Sequence, residues 1–391
     1  MPHIERHLPV RPLIGGPKHH FFGYYDKFPW DETGQYLLAM ETQFIDRPPN
    51  PDDTVVIGVI DLNGNGEFEP VAETYAWNWQ QGTHLQWLPT AADRCIVYNI
   101  REDNQYRSVV HDIHTDERRT LPLPIYCLSR DGTQALSVNF SRIHRCRPGY
   151  GYNGVPDPWA DDPAPEQDGI WWMDMETGET EFIISLADIA GIEPVDSMEG
   201  AQHWFNHLQF STGDSRFIFL HRWRRLDNDG FRATRMFTAN PDGSDVYLLN
   251  PDDMTSHFDW KSDDQLLAWA RQFDIGDRYF LFDDQSDRVE IVGDDVFNCD
   301  GHCSYSPDRR FILTDTYPQE PGHKRTLIVY NIETNERIDI GRFYAPPELD
   351  GEIRCDLHPR WNRDGTLVCF DSAHEGERQM YEIDVSEITA R

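Results

Sequence analysis

In this chain a histidine recurs three residues ahead of an aromatic residue: His84/Trp87, His207/Phe210, His257/Trp260, His302/Tyr305 and His358/Trp361. Each pair leads into a turn signal and then an apolar run, as in HLQFSTGDSRFIFL and HFDWKSDDQLLAWA. Histidine is the commonest metal ligand and the usual acid or base near neutral pH. One residue type held at one point of a repeated strand–turn–strand unit gathers in space when the units are arranged around an axis. His207, His257, His302 and His358 come from four consecutive units. Three or four imidazoles suit a borderline divalent ion such as zinc, manganese, iron or nickel, whereas calcium and magnesium prefer oxygen.

The elements that would position these histidines follow from the same repeat. The intervals between the last four approach one β-propeller blade each, roughly 40–50 residues and four strands. Two further units lack the histidine: PIYCLSRDGTQALSVNF puts Ile125 in the ring position, and YYDKFPWDETGQYLLAME puts Tyr25 there, ahead of Phe28. Between these runs, segments such as VVIGVIDLNGNG and TLIVYNIETNERIDI alternate apolar and polar residues into Asp/Asn/Gly turns, as outer hairpins require. Helical periodicity is confined to LADIAGI. The expectation is an all-β, seven-bladed propeller forming one closed domain over residues 1–391, with units beginning near residues 19, 82, 124, 205, 255, 300 and 356.

Two stretches depart from the repeat, residues 141–169 and 185–204, and both read as insertions between the third and fourth units. The first is dense in Pro, Gly, aromatic and acidic residues and reads as a lid over the channel mouth. Arg142, Arg145 and Arg147 precede its PGYGY motif, and Arg222, Arg224 and Arg225 leave the end of a core strand. Guanidinium forks bind carboxylates. In an acidic chain such clusters are either salt bridges, to Asp161, Asp162 or Asp227, or an anion pocket. Tyr24, Tyr25, Tyr150 and Tyr152 are candidates to line the same mouth.

A net charge of -33 excludes a phosphate-binding face and so nucleic acid. The N-terminal MPHIERHLPVRPLIGGPKHH has no apolar signal region, and no run reaches eighteen apolar residues, so neither secretion nor a membrane span is expected. Seven cysteines without paired spacing read as reduced thiols of a cytoplasmic protein.

The last unit, CDLHPRWNRDGTLVCFDSAHEG, resembles the C-terminal blade of the oligogalacturonate lyases, seven-bladed propellers that cleave uronate bonds by elimination. GHCSYSP and NHLQFSTGDSRFIFLHRW are similar to neighbouring blades of that family, and HHFFGYYDKFPWD and RPGYGY are looser in style, nearer the ulvan-lyase propellers. The resemblance implies metal ligation by His302 and His358, and proton abstraction by an upstream channel histidine, His257 or else His207. Arg360 stands where the family has a second histidine, and Cys355 falls near its glutamine ligand, so the manganese site it implies is altered.

Elimination at a uronate requires the carboxylate to be neutralised, a base to take the C5 proton, and an acid to protonate the departing O4. Under the lyase resemblance, a manganese or zinc ion sits at His207, His257, His302 and His358. Arg145 or Arg147 holds the carboxylate of a small acidic oligosaccharide, with Arg222 in the same cluster. His84 or one of the ring histidines, His257 among them, is the base, and Tyr25 or Tyr150 the acid. The alternatives are a non-catalytic binding propeller and a metal-dependent sugar hydrolase or isomerase.

Overall fold

A computed structural model describes residues 3–64, 66–226 and 232–390. Seven small sheets, antiparallel but for one added edge strand, form a seven-bladed β-propeller. Blade four is the most regular, with strands Gln202–Phe210, Phe217–Arg224, Ala233–Ala239 and Tyr247–Asn250 in order from the axis outwards. Apolar side chains of adjacent blades pack against one another, and the clusters run from blade to blade around the ring. Closure comes from the N-terminal segment. Val10–Pro12 pairs antiparallel with Tyr381–Ile383 as the outer strand of blade seven, and His3–Glu5 adds a parallel strand to blade six.

The aromatic that follows each histidine is fixed by the first hairpin of its blade. Trp87 pairs with Ile96, Phe210 with Phe217, Trp260 with Leu266, Tyr305 with Ile312 and Trp361 with Val368, each one residue before the turn. Leu128 opposite Ala135 holds the same place in blade three, which puts Ile125 at the ring position. Blade one departs from the expected register. There Trp30 opposite Leu37 occupies the aromatic position, so Lys27 takes the ring position and not Tyr25.

The cause is an extrusion. His19–Phe21 pair with Met40–Thr42, and residues 22–29 then stand opposite only Leu38 and Ala39, so this segment bulges from the strand towards the channel axis. Gly23 has φ +118°, and a Cβ there would meet the Gln81 backbone at 3.0 Å, so the departure point needs glycine. The backbone N–H groups of Phe22 and Gly23 point at Asp371 Oδ2, at 3.3 and 3.4 Å.

The two insertions are separate. The first runs between the second and third strands of blade three, not between blades, because Gly169–Asp174 returns to pair with Gln134–Ser137. It opens with helix α1, Phe140–Cys146, whose N-terminus is capped by the Asn139 side chain accepting from Arg142 N–H. The second, between blades three and four, begins with the LADIAGI segment as α2, Leu186–Gly191. Among the described residues no helix is long and apolar enough to cross a membrane, and all seven cysteines are free.

Candidate active site

Each ring histidine lies where the innermost strand breaks its ladder and turns a side chain to the channel. At His84, His207 and His358 the break is a left-handed residue, with φ of 53°, 54° and 40°. Histidine adopts that region more readily than most residues, but at a cost, and such outliers gather at functional sites. All five rings are buried. Tyr24, delivered by the blade-one extrusion, stands in the middle. Its ring centroid is 5.2 Å from that of His207, 6.4 Å from His257, 6.1 Å from His302 and 5.0 Å from His358.

Aspartates engage three of the four histidines, Asp300 and Asp356 reaching back from the next blade and Asp315 lying in the blade of His302 itself. Asp300 and Asp356 lie two residues before His302 and His358, in the segments that lead into the innermost strands Ser304–Tyr305 and Arg360–Trp361. His257 Nδ1 lies 2.9 Å from Asp300 and His302 Nδ1 2.8 Å from Asp315. His302 Nε2 and His358 Nε2 each lie 3.9 Å from Asp356 Oδ2, and both nitrogens are buried without a hydrogen-bond partner. The potential ligand atoms of His302, Asp356 and His358 lie within 4.8 Å of one another. Two orphaned imidazole nitrogens around a carboxylate fit a divalent transition ion, and the Asp315 bond fixes the His302 tautomer as an outer partner of a ligand does. Burial and the His302 charge hold His358 well below its ordinary pKa, and His257 is lowered because burial outweighs Asp300. For His302 burial opposes protonation, but the Asp315 carboxylate prevails and raises the group.

Beside this cradle is an arginine–tyrosine cluster. Arg354 donates from Nε to Asp356 at 2.6 Å and from Nη2 to the Tyr150 hydroxyl at 2.6 Å, while Arg325 Nη1 lies 2.8 Å from Asp356. Burial would hold the Asp356 carboxyl high, yet the two guanidiniums keep it well below the usual range. The Arg147 guanidinium lies 4.3 Å from the centre of the Tyr150 ring, and its Nε is buried without a partner. Arg222 is buried with Nε and Nη1 both unpartnered, and desolvation together with the Arg147 charge lowers its pKa to about 10. Burial raises the Tyr150 phenol, but Arg354 and Arg147 outweigh it and bring it to about 8. Burial and the Arg222 charge depress His207, whose Nδ1 lies 3.3 Å from the Tyr126 hydroxyl.

The remaining sequence candidates lie elsewhere. The His84 ring packs against Tyr126, Phe140 and Tyr152, with Nδ1 2.9 Å from the Tyr126 carbonyl. The Tyr25 hydroxyl donates to the Phe258 carbonyl and accepts from the Phe258 N–H, both at 3.0 Å, which ties the extrusion to blade five. Arg145 binds Asp157 and Gln202, and Arg142 binds Asp157 and four backbone carbonyls. Asp157, rather than Asp161 or Asp162, is thus their carboxylate partner, and Asp227 lies outside the described residues. Arg360 pairs with Asp371 at 2.7 Å, and Cys355 Sγ accepts from Arg378, so neither replaces the ligands it stands for in the resemblance. Sequence reasoning missed Asp356, Asp300, Asp315 and Arg354. The signal was an Asp-x-His pattern in GHC- and LHP-containing runs, NCDGHC and CDLHP.

The architecture defines this chain as a seven-bladed β-propeller, and its fold is similar to that of oligogalacturonate lyases. Oligogalacturonate lyase from Vibrio parahaemolyticus superposes with a TM-score of 0.67 and 16% identity, over 97% of this chain and 94% of that one. An oligogalacturonate lyase in complex with manganese gives 0.68 and 16%, over 98% and 95%. The tricorn protease matches over 96% of this chain but 37% of its own, with a TM-score of 0.54 and 11% identity. No family model and no curated protein matches by sequence.

Proposed function

We propose that this propeller is a lyase that cleaves uronate-containing oligosaccharides by β-elimination, using the chamber around Tyr24. The observation that carries the reading is Arg222, a buried guanidinium with unpartnered nitrogens, set in a cluster that also contains a cradle of imidazoles and a carboxylate. A buried cation without a counter-ion is costly, and a carboxylate ligand removes that cost. A purely structural propeller gains nothing from such a group.

His302, Asp356 and His358 would hold the metal, manganese as in the similar lyase or zinc. When bound, the ion supplies Lewis-acid polarisation of the uronate carboxylate. Arg222 and Arg147 bind that carboxylate and stabilise the negative charge that develops as C5 loses its proton. His257, kept neutral by burial and oriented by Asp300, takes the C5 proton. The C4–O4 bond breaks as the C4=C5 double bond forms, and the Tyr150 hydroxyl gives its proton to O4. Its pKa of about 8 suits a group that must hold a proton at neutral pH and release it in the transition state. Tyr25 is committed to the backbone of blade five, and His84 is enclosed by aromatic rings, so neither takes part. Because the reacting groups are buried, substrate enters only when the PGYGY segment parts from Arg354.

The test is absorbance from a new conjugated double bond on incubation with oligogalacturonates, together with elemental analysis of the purified protein. The expected result is near-stoichiometric transition metal, with both metal and activity lost in His302→Ala and His358→Ala. Full activity and metal content in both variants would refute the assignment.

A further inference from the structure

The blade-one extrusion divides the axial channel. Tyr24 fills the histidine side, and Asp26, Lys27 and Phe28 lie on the opposite side, against a cavity of about 370 Å³ that opens at the other mouth. A smaller space of about 40 Å³ adjoins it, bounded by Tyr25. The combined size is within the roughly 300–1,000 Å³ range of small-molecule sites. Part of the wall is built by the residues two beyond four of the five ring histidines, Gln86, Gln209, Asp259 and Ser304.

The buried charges on this wall are compensated, and Arg130, which also lines it, is exposed to solvent. Lys27 binds Asp26 at 2.8 Å, Arg309 lies 3.5 Å from Asp259, and Arg363 feels the Glu32 carboxylate. The buried atoms left unsatisfied here are neutral. Gln209 Oε1 and Ser304 Oγ are buried and have no hydrogen-bond partner, although the Gln209 amide nitrogen is used by Asp259. Such groups need a partner, and both would receive a hydroxyl. The Lys27 ammonium opposes a metal cation here, and the carboxylates of Asp26, Asp259 and Glu32 oppose an anion.

We propose that this lower chamber is a second binding site, for a small neutral polyhydroxylated molecule of monosaccharide or polyol size. Its hydroxyls donate to Gln209 Oε1 and exchange hydrogen bonds with Ser304. The site is separated from the histidine chamber by Tyr25, and it does not depend on the chemistry proposed there.

The experiment is calorimetric titration of the full chain with D-galactose, D-glucose and myo-inositol in turn. The expected result is saturable one-site binding of at least one of them. Affinity should fall roughly tenfold in Gln209→Met and in Ser304→Ala, the loss of one hydrogen bond to a buried group, and should be retained in His302→Ala. Because the Gln209 amide also supports Asp259, Ser304→Ala decides the matter if Gln209→Met does not fold. Absence of saturable binding by all three probes overturns the proposal. So does binding that Ser304→Ala leaves intact, or that His302→Ala abolishes.

Discussion

Arg142 and Arg147 sit five residues apart in the same insertion and meet opposite fates. Arg142 is saturated: Asp157 and the carbonyls of Trp159, Asp162, Pro163 and His203 take up its nitrogens, and Arg145 shares the same carboxylate. Arg147 turns the other way, over Tyr150 and towards Arg222, and neither guanidinium is fully partnered. The chain has 68 acidic residues against 35 basic ones, so a paired arginine is the easy outcome. The paired cluster pins the lid to blade four. The unpaired one keeps its hydrogen-bonding capacity for something that arrives.

Removing the carboxylate should break the paired side hardest. Asp157→Ala leaves Arg142 with Asp168, 3.9 Å away, as its remaining buried carboxylate and should cost about 3 kcal/mol of stability, read by urea denaturation. A loss below about 1 kcal/mol would mean Asp168 and the carbonyls suffice. On the unpaired side, Arg222→Met should reverse the pattern. Stability should hold or rise, because an uncompensated buried charge is gone, while kcat/KM on uronate oligosaccharides should fall about 100-fold or more. Equal damage to both properties would erase the contrast.

Asp168 sharpens the paired side further. Burial lifts its pKa to about 6 despite the bond from Asn139. The raised folded value favours the protonated form, so its contribution is present below about pH 4 and is lost as pH rises through 6. Asp168→Asn should flatten that dependence and recover up to about 3 kcal/mol at pH 7, seen in denaturation series at several pH values. The smallest effect belongs to Tyr150. As the acid it must be protonated, so kcat/KM should fall as pH rises through about 8, roughly tenfold per unit beyond it. Tyr150→Phe should lose that limb, and a limb that survives the substitution would assign the acid to another residue.

The ring was legible because the aromatic three residues on is locked by the first hairpin in each histidine-bearing blade, so one spacing reports both strand and turn. It failed in blade one, where residues 22–29 leave the ladder and a linear count from Phe28 lands on Tyr25 in place of Lys27. Asp300 and Asp356 were in view two residues before His302 and His358, yet acidic residues are so common in this chain that spacing alone does not single them out. The separation of Arg145 from Arg147 was not legible at all. It depends on Asp157 folding back across α1, a contact no local pattern encodes.

The strand Val10–Pro12 pairs with Tyr381–Ile383, partners about 370 residues apart in the chain. During synthesis Val10–Pro12 must therefore wait, unpaired, until Tyr381–Ile383 has left the ribosome. Until then the nascent ring is an open arc whose terminal blade shows a bare edge, the kind of surface that invites pairing with a neighbouring chain. Closing so distant a contact comes late and slowly. The protein should depend on chaperoning in its last moments of assembly more than its regular blades suggest, and a shortened N-terminus should betray itself first as aggregation during expression.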